Sequence, residues 1–265
     1  MSHAISRVVR HLGLIAAVLA TLAASAADTP AGPAPHHRDG RFQNNYVEFE
    51  PKGIAALLKW RMEAGRAGVP KPPQQETPRV VADLAFLRAN ALAGAAMVPA
   101  TTWIGHASTL VQAGGANILT DPIFSERASP VGFAGPKRHL PPGLTLTDLP
   151  HIDAVVVSHN HYDHLDAASV KALAGQAGGP PLFIVPLGVK ALLAGMGITN
   201  AVELDWWQGT RVGAVEIVLT PVQHWSGRSL TDRMETLWGG CGTPARAAST
   251  RHFSSAAMPF GSNST

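Results

Sequence analysis

From residue 100 onward, apolar residues fall into short runs of three to six, separated by Gly, Pro, Asn and Asp. Thr102-Trp-Ile104, Ser108-Thr-Leu-Val-Gln112 and Ala116-Asn-Ile-Leu-Thr120 predict strands, with Gly114-Gly115 as a hairpin connection. Asp153-Ala-Val-Val-Val157 has no polar alternation and predicts a strand buried on both faces. Leu182-Phe-Ile-Val185, Ala201-Val-Glu-Leu204 and Ala214–Leu219 predict three more. Helices are predicted over 53–67 and 78–93, broken by Pro70-Lys-Pro-Pro73, and from an Asp166 cap to about Gln176, stopped by Gly178-Gly179. Pro186 is predicted to open another, ending near Gly195 or Gly197. Strands alternating with helices make an α/β protein with a mixed sheet. A long loop, Asp121 to Leu149, interrupts the order, and loops of that length inside a domain often carry function.

The first 26 residues have a different pattern. Arg7 and Arg10 precede the apolar stretch Leu12–Ala23, and Ala24-Ser25-Ala26 supplies small residues for cleavage. This predicts a secretory signal peptide and an exported, periplasmic protein; the alternative is an uncleaved N-terminal anchor. Residues 27–51 show no period and predict an arm, in which His36 and His37 are expected to be solvated. Residues 52–240 form the expected domain, and 241–265 a tail of different character. Removing residues 1–26 takes Arg7 and Arg10 from the charge balance and leaves a net charge of +1. With no stripe of Lys and Arg, the charge implies no nucleic-acid partner. The single cysteine, Cys241, excludes an intrachain disulfide.

Directly after the buried strand stands Ser158-His-Asn-His-Tyr-Asp-His-Leu-Asp166. His159, His161, Asp163 and His164 crowd one strand end, and imidazole nitrogen with carboxylate oxygen is the donor set borderline divalent metals take. The alternative is a polar loop of solvated histidines. His224 follows another predicted strand, in Pro221-Val-Gln-His224-Trp225, and could complete a site with His159 and His161. Its position alone does not separate a ligand from a packed or surface histidine. His106 and Asp121 also stand at strand ends, either as partners orienting a ligand imidazole or as ordinary turn residues. Trp206, Trp207 and Trp225 could line an apolar pocket, although core packing is the commoner fate of such residues.

The HxHxDH sequence at 159–164 resembles the signature of the metallo-β-lactamase superfamily. Trp103-Ile-Gly-His-Ala-Ser108, Leu119-Thr-Asp-Pro-Ile-Phe124, Gly135-Pro-Lys-Arg138, Leu204-Asp-Trp-Trp207, and QHW followed by Leu230-Thr-Asp232 and Leu237-Trp-Gly239 resemble the N-acylphosphatidylethanolamine-hydrolysing phospholipase D family and its bacterial relatives. The likeness covers roughly residues 36–239. It implies an αβ/βα sandwich with a two-zinc site at the sheet edge. His159, His161 and His224 then match the ligands of one zinc, and Asp163 and His164 match ligands of the other. Asp163 would also orient water or take its proton. The implied activity is zinc-dependent hydrolysis of a phosphodiester, with a phospholipid or other small phosphodiester as substrate and contact with a membrane surface. Manganese and iron accept the same donors.

The likeness stops after Trp238-Gly-Gly240. Family members continue with a carboxylate that bridges the metals and a last histidine, whereas residues 241–265 contain no Asp or Glu and only His252. The Ala/Ser/Thr/Arg-rich tail suits an out-of-frame reading of a GC-rich gene. The expectation is a sandwich truncated in its second half, with one zinc or fewer held securely. It further predicts impaired activity and a sheet face without a partner layer. The competing expectations are another hydrolase on the same fold, such as a lactonase, and a non-catalytic metal-binding remnant.

Overall fold

The computed structural model describes residues 34–49, 52–69, 78–229, 231–243 and 254–255. The leader 1–26 and all of the tail beyond 243 except Ser254–Ser255 lie outside the described residues. The chain divides into residues 1–37 and 38–265, and the second unit carries the helices and the two larger sheets.

Two helices precede the main sheet, α1 (Ile54–Arg66) and α2 (Leu84–Ala91). Asp83 caps α2 by accepting the Phe86 N–H. No residue of α1 is buried. Six strands then form one sheet: β1 (Ala100–Gly105), β2 (Ser108–Ala113), β3 (Ala116–Thr120), β4 (Ala154–Val156), β5 (Leu182–Pro186) and β6 (Ala201–Leu204). They lie in sequence order, β1 to β3 antiparallel and β3 to β6 parallel. The parallel crossovers carry α3 (Ala167–Ala174) and α4 (Val189–Gly195). A second, antiparallel sheet holds β7 (Gly209–Val212), β8 (Val215–Thr220), β9 (Gly240–Gly242) and β10 (Ser254–Ser255).

The central strands are apolar throughout because both faces are covered. Leu119, Val155, Phe183 and Val185 pack with Val170, Leu173, Val189 and Leu193 of the helices on one side. Ile118, Val156 and Ile184 meet Ile217, Leu219, Leu237 and Trp238 on the other. The sheet face therefore has a partner layer, contrary to the expectation from the short tail. The reason is local: β8 and the 237–242 segment supply the missing cover.

Other differences are also local. The helix expected from Pro186 begins three residues later. Pro186 ends β5, and Gly188 makes the turn at φ 85°, with the Glu235 carbonyl only 3.2 Å from where a Cβ would lie. Asp166 stands at the N-terminus of α3 but caps no backbone N–H of the helix. Its carboxylate instead accepts the Ser125 N–H and hydroxyl and the Ser169 hydroxyl. The strands β7 and β9 carry too few apolar residues to be read from pattern. His36, expected to be solvated, is buried. Among the described residues no helix is long and apolar enough to cross a membrane.

Candidate metal centre

Strand β4 is fully buried, and the chain leaves it through Val157, whose N–H donates to the Ile184 carbonyl. The next residues turn sharply: the Leu165 N–H donates to the His161 carbonyl at 2.8 Å, and the Leu165 side chain is sealed in the core. This turn points His159, His161 and His164 the same way. His224 arrives from the end of β8. One nitrogen from each of His159, His161 and His224 lies within 4.8 Å of the others.

The hydrogen-bond network sets the tautomers. Asp121 Oδ1 accepts the Ser158 N–H at 2.6 Å, and Asp121 Oδ2 accepts the Ser158 hydroxyl at 2.8 Å. With its proton committed, Ser158 Oγ must accept from His159 Nδ1 at 2.8 Å. Asp121 Oδ2 also accepts from His164 Nδ1 at 2.9 Å. The neutral forms of His159 and His164 therefore present bare Nε2 atoms to the site. His159 Nε2 and His224 Nε2 are 2.9 Å apart, and His161 Nε2 is buried with no hydrogen-bond partner. Converging lone pairs with an orphaned nitrogen suit a metal ion.

Electrostatics agree. Burial, and then the neighbouring imidazoles, hold His159 well below the usual histidine range. Burial, then His224, brings His161 to about 4; burial, then His164, does the same for His224. Three neutral imidazoles are the ligating form. For Asp163, burial works upward but is overcome by the His106 hydrogen bond and the charge of His164, leaving it at about 2. Burial lowers His164, but Asp121 and Asp163 outweigh this and raise it.

All seven residues singled out in the sequence thus meet around one strand edge. Asp121 sits beneath the centre, and His106 Nε2 lies 3.0 Å from Asp163 Oδ2. Sequence reasoning missed the scaffold. Asn44, from the supposed arm, is buried and brackets His224: its Oδ1 accepts the His224 N–H and its Nδ2 donates to the His224 carbonyl. Arg228 Nη1 donates to the Asn160 and Leu165 carbonyls at 2.7 and 2.8 Å, while its guanidinium lies 3.9 Å over the Tyr162 ring. The Gly227 N–H donates to Asn160 Oδ1. The fully buried Ser108 links the Asp121 carbonyl to the Ile123 N–H.

A cavity opens beside the centre, lined by His106, His161, Asp163, Tyr162, Trp225 and the long loop at Ile123 to Arg138. The expectation of core packing holds for Trp206, whose Nε1 donates to the Trp238 carbonyl. It fails for Trp225, whose ring meets His161 edge-on at 4.2 Å, and for Trp207, which is 70% exposed.

The chain has curated relatives. It is 38% identical over 213 residues to an uncharacterized protein of Mycobacterium tuberculosis, covering 77% of this chain and 53% of that one. It is 42% identical over 149 residues to N-acyl-phosphatidylethanolamine-hydrolyzing phospholipase D 1 of Caenorhabditis elegans, covering 52% and 41%. The chain thus spans about half the length of the curated relatives it matches. Among solved structures, the isothiocyanate hydrolase from Delia radicum gut bacteria is similar at a TM-score of 0.41 and 24% identity, over 55% of this chain and 58% of that one. The family model for the beta-lactamase superfamily domain matches residues 116–250, beyond the point where the sequence words stop. With His159, His161, Asp163, His164 and His224 inside that match, the chain belongs to the beta-lactamase superfamily.

Proposed function

We propose that this chain carries a zinc-dependent hydrolase site for phosphodiesters, of phospholipase D type, acting on a phospholipid or similar small substrate. The observation that carries the metal reading is the convergence of three neutral imidazoles, one with an orphaned buried nitrogen. In this reading His159, His161 and His224 hold one ion, and Asp163 with His164 contribute to a second. Bound zinc supplies Lewis acidity toward phosphoryl oxygens and lowers the pKa of water. Asp163, ionised at neutral pH and facing the cavity, is placed to accept a proton from attacking water. Asp121 and Ser158 keep the imidazoles in their ligating tautomers. Ile123, Tyr162 and Trp225 give the cavity an apolar wall, and Lys137 a cation. The likeness to the Caenorhabditis elegans enzyme supports the phosphodiester class. Export through residues 1–26 and contact with a lipid surface belong to the same proposal.

The test is turnover of N-acylphosphatidylethanolamine vesicles and bis(p-nitrophenyl) phosphate by the full chain with added zinc, beside a lactone and a β-lactam. Chelator-sensitive release from the phosphodiesters supports the reading. Turnover of the lactone alone replaces it with another hydrolase on this fold. Zinc binding without turnover of any of them leaves a non-catalytic metal-binding protein. N-terminal sequencing of exported protein checks cleavage after Ala26.

A further inference from the structure

We propose that His106 is a further protein ligand of the second ion, beside Asp163 and His164. The proposal rests on the reading of the three-histidine group as the site of the first ion. The three side chains each offer one donor atom within 4.8 Å of the others. His106 Nε2 is 3.0 Å and His164 Nε2 3.6 Å from Asp163 Oδ2. Metal–ligand bonds of about 2.0–2.2 Å place neighbouring donors about 3.0–3.5 Å apart, so the set needs little movement to close on an ion.

Two independent features aim the donors. His164 Nδ1 donates to Asp121, which turns its bare Nε2 toward Asp163. His106 occupies the turn between β1 and β2 at φ +52°, a left-handed conformation that is strained for a non-glycine residue. The turn is pinned there: Trp103 Nε1 donates to the His106 carbonyl at 2.9 Å, beside a register shift between Trp103 and Gly105. This strained turn brings the His106 ring to the Asp163 carboxylate. The site borders the cavity and is half exposed, leaving open positions for water or substrate. Two imidazoles and one carboxylate with open positions suit zinc, manganese or iron(II). The His159 and His164 ring centroids are 4.0 Å apart, so the two sets adjoin.

Metal stoichiometry tests this. The full 265-residue chain is stripped with chelator, titrated with zinc in a calorimeter, and analysed for metal after gel filtration. His106→Asn suits the positive φ, and His161→Ala removes a ligand of the other set. The expected result is two zinc ions in the parent and one in each variant. The variants should lose different binding events, and His106→Asn should keep the metal-free unfolding temperature of the parent. If His106→Asn still takes two ions with unchanged affinity, the proposal is overturned. If the parent binds a single ion that only His161→Ala removes, the proposal fails while the three-histidine reading stands. A parent that binds none removes both.

Discussion

The two donor sets differ in how the fold holds them. His159 is only 1% exposed and His161 and His224 are half-buried, and every one of them issues from the end of a packed strand or the turn after it. His106 and Asp163 are each about 40% exposed on their side chains, and His106 hangs from a strained turn. Rigid burial enforces neutral imidazoles and a fixed geometry. Exposure leaves room for exchange of water or substrate. The deep set is therefore suited to retaining an ion, and the shallow set to working at the cavity.

The largest expected effect should come from the deep set. His161→Ala should abolish tight metal binding there and cut hydrolysis by more than about 100-fold, read by elemental analysis and initial rates. Asp121→Ala would break the comparison, because Asp121 serves both sets. It strands the Ser158 N–H and frees both imidazoles, so metal affinity should fall about 10- to 100-fold and stability by about 1–3 kcal/mol. Equal loss at both sites would mark Asp121 as their common support; loss at one alone would show that they are independent.

Arg228→Ala should loosen the 160–165 turn and weaken metal binding roughly 10-fold. Arg228→Lys should not restore it, because a lysine cannot reproduce the planar contact over Tyr162. The metal-free protein offers a last test, its pH response. His161 and His224 titrate near 4 when folded and near 6.5 when unfolded, so below pH 6.5 the unfolded chain binds protons that the fold refuses. Stability should fall from pH 6.5 to 4 in urea titrations. His164, raised by Asp121 and Asp163, opposes this, adding stability below pH 6.5 that is lost as pH rises through its folded value. Asp163, lowered when folded, gives support that disappears only as pH falls from about 4 toward 2.

The sequence was most legible where a residue's neighbours in the chain are also its neighbours in space. The run 153–157 reads as buried because β4 is covered on both faces, and His159, His161, Asp163 and His164 read as one site because a single turn holds them. Strands β7 and β9 were invisible because their stability comes from pairing with β8 rather than from their own apolar content. Asn44 and Arg228 were invisible for a related reason. They act through backbone carbonyls and N–H groups, which carry no residue-type signature. Trp225 reads like Trp206 in sequence, and only its approach to His161 separates a cavity wall from a core.

Asn44 and His224 are 180 residues apart, yet their two hydrogen bonds fix the third imidazole of the deep set. Contacts of such separation carry a high loop-closure cost and tend to form late. During synthesis Asn44 must therefore wait for residue 224 to emerge before the centre can close. Metal uptake would then report completed folding, so ion capture in a refolding experiment should lag behind formation of the six-stranded sheet.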